Sequence, residues 1–128
     1  MKKYKALEKE AMKICPWADS NQAYIILLGL GWGLDISKYA KPEFDYLQMD
    51  EILSGLQKGL DVSIYAKPEY SAGQMEQIRI GLEDGVDVSQ YTNPKLSYDT
   101  MRKIRIALFF DKKKDKLINS PMELTNGK

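Results

Sequence analysis

Apolar residues recur along this chain at a fixed spacing of 26 residues. The recurring apolar positions are Ile26, Ile52, Ile78 and Ile104, followed by Leu30, Leu56, Leu82 and Leu108. Proline keeps the same spacing, at Pro16, Pro42, Pro68 and Pro94. A fixed period of this length indicates a repeat architecture in which each copy is one supersecondary unit. We therefore divide the chain into four copies, which begin near residues 16, 42, 68 and 94.

The first part of each copy predicts an amphipathic helix. The third copy opens with Ser71-x-x-Gln74, a capping-box pattern in which the hydroxyl accepts a hydrogen bond and the amide side chain reaches back. Met75, Ile78 and Leu82 then fall at i, i+3 and i+7, which places them on one helical face. The aligned segments predict helices within residues 21–32, 46–57, 72–83 and 98–110.

The second part of each copy predicts a turn and a short helix. Gly59 and Gly85 follow the last apolar residue of their helices and are predicted to end them with a positive φ. Asp87 precedes residues 88–91 as the N-cap of a second helix of one or two turns. Gly81 lies on the apolar side of the first helix, and a residue without a side chain there predicts the close approach of a neighbouring helix.

The two ends of the chain depart from the repeat, as the ends of a repeat array do. Residues 1–15 predict an added amphipathic helix that caps the array and that Pro16 ends. The fourth copy lacks the glycine turn, so its helix is predicted to continue toward residue 116, and residues 119–128 are predicted to form a loosely ordered tail. The predicted fold class is all-α: a short α-solenoid of four 26-residue helix–turn–short-helix repeats over residues 16–118, with an N-terminal capping helix.

The third copy carries the motif Gln74-Met75-x-x-Ile78-Arg79-x-Gly81-Leu82-x-x-Gly85-Val86-Asp87-Val88-Ser89-x-Tyr91. This motif resembles a tandem repeat of small, mostly uncharacterised proteins of gut bacteria, which are often carried on mobile elements. The resemblance covers roughly residues 16–110, and the first copy departs most, with Ala23 in place of Met. It implies an all-helical repeat array and no catalytic activity. By analogy alone, the link to mobile elements implies an inhibitor of a host defence nuclease, of the anti-CRISPR kind.

The composition excludes several classes of function. The chain has no histidine and one cysteine, Cys15, so it contains neither an internal disulfide nor a His-based nucleophile, general base or zinc site. Hydrophobic residues make up 44% and charged residues 29%, which is typical of a globular domain. No pair of acids stands out from the cap and surface positions, so we expect no enzyme, no cofactor and no metal.

The charges are unevenly distributed. Five Lys and two Glu lie in residues 1–16, nine basic and thirteen acidic residues in 17–110, and five Lys and three acids in 111–128, so an acidic body has two basic ends. The uncharged stretch Ser20–Leu34 has 15 residues, short of the roughly 20 that span a bilayer. The N-terminus mixes Lys with Glu, unlike a signal peptide. We therefore expect a cytoplasmic protein that does not contact a membrane.

The recurring polar and aromatic residues favour structural roles. Asp61 and Ser63, with their copies, supply too few oxygens for calcium, which takes about six to eight, so they are predicted to cap the short helices. Tyr65 and its copies form an aromatic series that would suit base stacking, but recurrence in each turn favours packing with the hydroxyl bonded locally. Cys15 has apolar neighbours and is predicted to be a packed thiol.

Residues that bind a partner are expected where the copies differ, because packing takes up the shared positions. Aligned columns of the helices read Leu27, Leu53, Arg79, Arg105; Tyr24, Asp50, Glu76, Arg102; and Trp32, Lys58, Asp84, Phe110. All arginines of the chain therefore lie in the helices of the third and fourth copies. The candidate partner-binding residues are Arg79, Arg102, Lys103, Arg105, Trp32, Phe109 and Phe110.

Two binding functions are open at this point. The first is a non-enzymatic binding module for a protein partner. The alternative is a nucleic-acid-binding protein that uses the basic third and fourth repeats. The acidic body of the chain is evidence against this alternative, because it would repel phosphates. A further alternative gives the arginines no binding role, because Glu76, Asp84 or Asp99 would pair with them on the surface.

Overall fold

The structure is a computed structural model that describes residues 2–118, and the side chains of residues 5–117. Over these residues the chain forms five α-helices: α1 (Lys2–Ile14), α2 (Ser20–Gly31), α3 (Tyr46–Gln57), α4 (Ala72–Asp84) and α5 (Tyr98–Ile118). A one-turn 3₁₀ helix follows each of α2, α3 and α4, at Ile36–Lys38, Val62–Ile64 and Val88–Gln90. The described residues contain no strand, which confirms the all-α prediction. The predicted tail, residues 119–128, lies outside the described residues.

All four predicted helices are confirmed, and each α-helix packs against the next one along the chain. The recurring apolar positions form the core between successive helices. Its fully buried members include Ile26, Ile52, Ile78, Met49, Met75 and Met101. In the fourth copy the helix continues to Ile118, as the loss of the glycine turn predicts. The recurring apolar residues of the sequence therefore lie in the core between helices that are neighbours along the chain.

The helix starts confirm the capping-box prediction. At α4 the backbone N–H of Ser71 donates to Oε1 of Gln74 at 2.8 Å, and the backbone N–H of Gln74 donates to the Ser71 hydroxyl at 3.2 Å. Asp19 with Gln22, and Asp45 with Gln48, form the same box at α2 and α3. These reciprocal bonds satisfy backbone donors that the first turn of a helix leaves unpaired.

The same glutamine side chains also join each helix to the connection that leads into the next helix. The Nε2 of Gln22 donates to the carbonyl of Phe44 at 2.8 Å, and that of Gln48 donates to the carbonyl of Tyr70 at 2.7 Å. Gln74 donates to the carbonyls of Pro94 and Leu96, at 3.0 and 2.6 Å. The fourth copy has Thr100 at this position.

The recurring tyrosines are buried, and each fixes a 3₁₀ helix onto the α-helix before it. The hydroxyl of Tyr39 donates to the backbone carbonyl of Ile25 at 2.6 Å, and the hydroxyl of Tyr65 donates to the backbone carbonyl of Glu51 at the same distance. Burial raises the pKa of these phenols. The prediction that these tyrosines pack with a locally bonded hydroxyl is therefore confirmed.

The reason for the glycine at positions 29, 55 and 81 differs from the one predicted. The atoms nearest to a Cβ at Gly81 belong to the 3₁₀ helix of the same copy and the tyrosine that follows it, not to the next α-helix. A Cβ at Gly81 would collide with the hydroxyl of Tyr91 and lie 2.7 Å from Cγ1 of Val88. Ala107 replaces this glycine in the fourth copy, where α5 continues through the positions of the 3₁₀ helix and Leu117 stands in place of the tyrosine.

The predicted left-handed helix ends are confirmed at Gly59 and Gly85, which have φ of 69° and 72°. We expect Gly85→Ala to lower the free energy of unfolding by about 1 kcal/mol, because a Cβ is strained in this conformation. Gly85→Asn is the control, since Asn tolerates positive φ better, and its loss should be smaller. Urea denaturation followed by circular dichroism measures both. If Ala proves as stable as Gly, some other feature ends α4.

The N-caps of the 3₁₀ helices make stability depend on pH. The hydroxyl and the backbone N–H of Ser37 donate to Asp35 at 2.6 and 3.1 Å, and Asp61 and Asp87 are bonded in the same way. These bonds lower the pKa of each carboxyl from its usual value of 3.8. The stability that they contribute is present above the unfolded-state pKa and is lost as pH falls through the lowered native value.

We therefore expect the free energy of unfolding to fall as pH decreases below about 4. In the triple variant Asp35→Asn, Asp61→Asn and Asp87→Asn, the amide oxygens still accept the bonds but do not titrate. Urea denaturation across the acid range should give a shallower fall for this variant. Identical slopes in the two proteins would mean that these carboxyls do not set the acid limit.

Candidate partner-binding surface

The α-helices present a surface on the side away from the 3₁₀ helices. We call this surface the outer face; it consists of the columns Tyr24, Asp50, Glu76, Arg102 and Gly31, Gln57, Glu83, Phe109. The two columns are seven residues apart, close to two helical turns, so they lie on one side of their helices. The glycines that contact the 3₁₀ helices, such as Gly29, come five residues after the first column and therefore lie near the opposite side. The residues of the outer face are exposed or half-buried.

The chemistry of this surface changes from one helix to the next. At α2 it is uncharged and aromatic, with Tyr24 exposed by 43% and Trp32, at its edge, by 52%. On α3 and α4 it carries Asp50, Glu76 and Glu83, and on α5 it carries Arg102. The surface is therefore apolar at one end, acidic in the middle and basic at the other end.

Arg79 does not point freely to solvent but pairs with two acids. Its Nε donates to Glu51 of α3 at 2.8 Å, and its NH1 donates to Glu83 of its own helix. Glu83 also accepts from Lys58 at 2.7 Å. Burial raises the pKa of Glu51 in spite of the arginine, whereas the bonds from Lys58 and Arg79 outweigh burial and lower the pKa of Glu83. With 14% of its side chain exposed, Arg79 joins α3 to α4.

Arg105 repeats this arrangement one helix further along. Its Nε donates to Oε1 of Gln77 at 2.8 Å, and its NH1 lies 3.7 Å from the carboxylate of Asp84. Its side chain is 15% exposed. Both arginines of this column therefore reach back to the preceding helix. The ion-pair alternative raised by the sequence named the partner of Arg105, Asp84, but not the partners of Arg79.

Arg102 and Lys103 are more open. Both pair with Asp99 in the first turn of α5, at 2.9 and 3.1 Å, and these bonds lower the pKa of Asp99. All three side chains are more than 40% exposed. Exposed pairs of this kind contribute little to stability and exchange readily with other partners. Arg102 and Lys103 thus keep their charge available at the surface.

The basic end of the outer face continues into a groove on α5. We call it the α5 groove; it has a volume of about 530 Å³ and is lined by Asp84, Phe109, Lys112, Lys113 and Lys116. The Nζ of Lys112 donates to the carbonyls of Asp84 and Gly85, at 3.2 and 3.0 Å, and so closes the C-terminus of α4. The sequence predicted Phe109 as a partner-binding residue, and the run Lys112–Lys114 continues the basic residues of the fourth copy. Lys116 was not predicted.

The aromatic candidates do not form one site. Phe109 and Phe110 contact each other edge to face, with ring centroids 5.7 Å apart. Phe110 is 64% exposed. Trp32 lies at the end of α2, which α3 and α4 separate from α5 in the packing order. The seven candidate residues are thus divided between an apolar end, two inter-helix ion pairs and a basic end.

A second groove, not predicted from the sequence, lies beside the first two 3₁₀ helices. It has a volume of about 320 Å³, and its polar lining residues are Ser37, Lys38, Lys41, Ser63 and Lys67. The two serine hydroxyls donate to Asp35 and Asp61.

Burial raises the pKa of the Cys15 thiol, which is 4% exposed, as expected for a packed cysteine.

Comparisons of the chain with protein-family models, curated proteins and solved structures returned no match. No helix among residues 2–118 is long and apolar enough to cross a membrane. Within the same range, no group of three or more Cys, Asp or Glu residues is arranged to hold a metal ion.

Proposed function

We propose that the chain is a non-enzymatic, cytoplasmic binding module, a short α-solenoid of four repeats whose outer face contacts a protein partner. One observation carries this proposal: the recurring residues form hydrogen bonds within and between copies, whereas the outer face differs in every helix. Gln48 and Tyr65, for example, are committed to internal bonds. The variable surface combines exposed aromatic residues with separate acidic and basic regions, the composition of a protein interface rather than of a catalytic site.

The resemblance to repeats on mobile elements supports one class of partner within this proposal, a host defence nuclease that the module would inhibit. The resemblance rests on the motif of residues 74–91 and adds no residue to the binding surface. Such a partner would meet an aromatic region at Trp32 and a basic region at Arg102. A nuclease assay with the purified chain tests this class once the partner is known.

The experiment that tests the proposal places a photo-crosslinking amino acid on either side of the module. Replacement of Trp32 or Asp50 puts it on or beside the outer face, and replacement of Lys38 or Lys67 puts it beside the 3₁₀ helices as a control. The variants are irradiated in nuclease-treated cytoplasmic extract, and the products are identified by mass spectrometry. We expect one protein to be crosslinked from the outer-face positions and to bind the purified chain. Equal crosslinking from both sides would contradict the proposal.

Nucleic acid is the second candidate, and the lysines of the α5 groove favour it. The acidic residues of α3 and α4 and the pairing of Arg79 and Arg105 count against it, because a phosphate backbone needs a continuous basic surface. The dependence of affinity on salt distinguishes the two candidates. Binding to phosphates weakens steeply with added salt in proportion to the number of contacts, whereas an interface with an aromatic component weakens less.

A further inference from the structure

We propose that the α5 groove binds an acidic peptide segment of the protein partner, in which carboxylates contact Lys113 and Lys116 and an apolar side chain contacts Phe109. This inference rests on the proposed function and names the chemistry that the basic end of the outer face recognises. The groove is the larger of the two described above, and it combines cations with an aromatic ring. Those are the groups that a segment of acidic and apolar residues would contact.

The three lysines of the groove lie in different surroundings. Lys112 is bound to the carbonyls at the end of α4, but Lys113 and Lys116 lie on the part of α5 that extends past Asp84, the last residue of α4. Both side chains are exposed. They are three residues apart and share one side of the helix. The groove therefore offers two neighbouring cations at its open end.

The acid in the groove does not cancel these charges. Asp84 lies 3.7 Å from NH1 of Arg105, so its carboxylate already faces a guanidinium. Arg102 lies on the same side of α5 as Lys113 and Lys116, since their separations of 11 and 14 residues are close to whole numbers of turns. The basic stripe from Arg102 to Lys116 is thus about 21 Å long, which suits a short peptide.

Two features favour an acidic peptide over a nucleic acid. The ammonium of Lys113 lies over one face of the Phe109 ring, 5.5 Å from its centroid. A base would need that flat face in order to stack, whereas an apolar side chain can pack against the ring edge. Asp50 and Glu76 lie on the adjoining helices of the outer face, where they would repel a phosphate backbone that extended beyond α5. A peptide that ends within the stripe avoids both obstacles.

The test uses the purified full chain and a fluorescent synthetic peptide built from Glu-Glu-Leu triplets. Fluorescence anisotropy gives its Kd for the wild-type chain, for Lys113→Gln with Lys116→Gln, and for the matched control Lys38→Gln with Lys67→Gln. The control removes the same charge from the second groove. We expect about tenfold weaker binding for the first variant, equivalent to about 1.4 kcal/mol, and less than about twofold change for the control. Thermal unfolding should be little changed in both.

Four results would overturn the inference. These are equal weakening in the two variants, no binding of the peptide to the wild-type chain, equal affinity for a Glu-Glu-Ala peptide, and tighter binding of an oligothymidylate of the same charge. A failure of the proposed function looks different. If the partner found by crosslinking binds the Lys113 and Lys116 variant as well as wild type, only the groove is wrong; if the outer face crosslinks no protein, the proposed function is wrong whatever the peptide does.

Discussion

Gly55→Ala should be among the most damaging single-methyl changes in this protein, with an expected loss of about 3 kcal/mol in the free energy of unfolding. The added Cβ would collide with the hydroxyl of Tyr65 and would lie 2.7 Å from Cγ1 of Val62. Val62 begins the 3₁₀ helix packed on α3, and Tyr65 is the residue that caps its C-terminus. The clash therefore displaces that helix and breaks the bond from Tyr65 to the Glu51 carbonyl. The higher helix propensity of alanine, about 1 kcal/mol, offsets only part of this loss.

The matched control is Gly31→Ala in α2, where a Cβ has no atom within 4 Å. The same substitution there should leave stability unchanged or raise it by up to about 1 kcal/mol. Urea denaturation gives both values. Adding Tyr65→Phe to Gly55→Ala removes the colliding oxygen, so the double variant should lose less than the sum of the single losses. Equal stability of Gly55→Ala and Gly31→Ala would contradict the close packing of the 3₁₀ helix.

The helices could be predicted because their signals are local. A capping box such as Asp45 with Gln48 acts within one turn, and a left-handed glycine such as Gly85 ends a helix through its own backbone. The role of Gly55 could not be predicted from the helix alone, since the group that touches it comes from Tyr65, ten residues later. The sequence did contain a signal: glycine and tyrosine recur together, and Ala107 appears where the tyrosine is missing.

The binding surface was only partly predictable. The aligned columns identify the positions that vary, but they do not say on which side of a helix its neighbour packs. Arg79 and Arg105 occupy a variable column that turned out to face the preceding helix, where Glu51 and Gln77 bind them. Arg102, three residues from Arg105, remains on the outer face. Whether a charged residue forms an ion pair or faces solvent depends on which side of its helix the neighbouring helix packs, and the sequence alone does not show this.

The α5 groove exists because α5 is longer than the other helices. The sequence predicted the longer helix but not the groove that results from it. The fourth copy lacks the glycine turn, and its helix was predicted to run past the others. That extension places Lys112 at the end of α4 and leaves Lys113 and Lys116 beyond it. The lysine run therefore has two roles, a helix cap and a surface charge, which only the packing of α5 on α4 separates.

The glutamine at each helix start should be as important as the glycine, because one side chain joins two copies. In Gln74→Met the side-chain length is kept, but the N–H of Ser71 and the carbonyls of Pro94 and Leu96 lose their partner. Gln74 is 8% exposed, so water replaces these bonds poorly. We expect a loss of about 3 kcal/mol in the free energy of unfolding, measured by urea denaturation, since unpaired buried polar groups are expensive.

Gln74→Glu separates the two roles of this side chain. Its carboxylate still accepts from the Ser71 N–H, but its second oxygen faces two carbonyl oxygens instead of donating to them. At neutral pH this variant should be less stable than Gln74→Met, and protonation of the carboxyl at acid pH should restore a donor and recover part of the difference. The control is Thr100→Gln in the fourth copy, which completes a capping box with Ser97. Among the described residues no connection follows α5 for its amide to bind, so this variant should change stability by less than about 1 kcal/mol. If the free energy of unfolding changes as little in Gln74→Met as in Thr100→Gln, the amide bonds to Pro94 and Leu96 do not hold the third and fourth copies together.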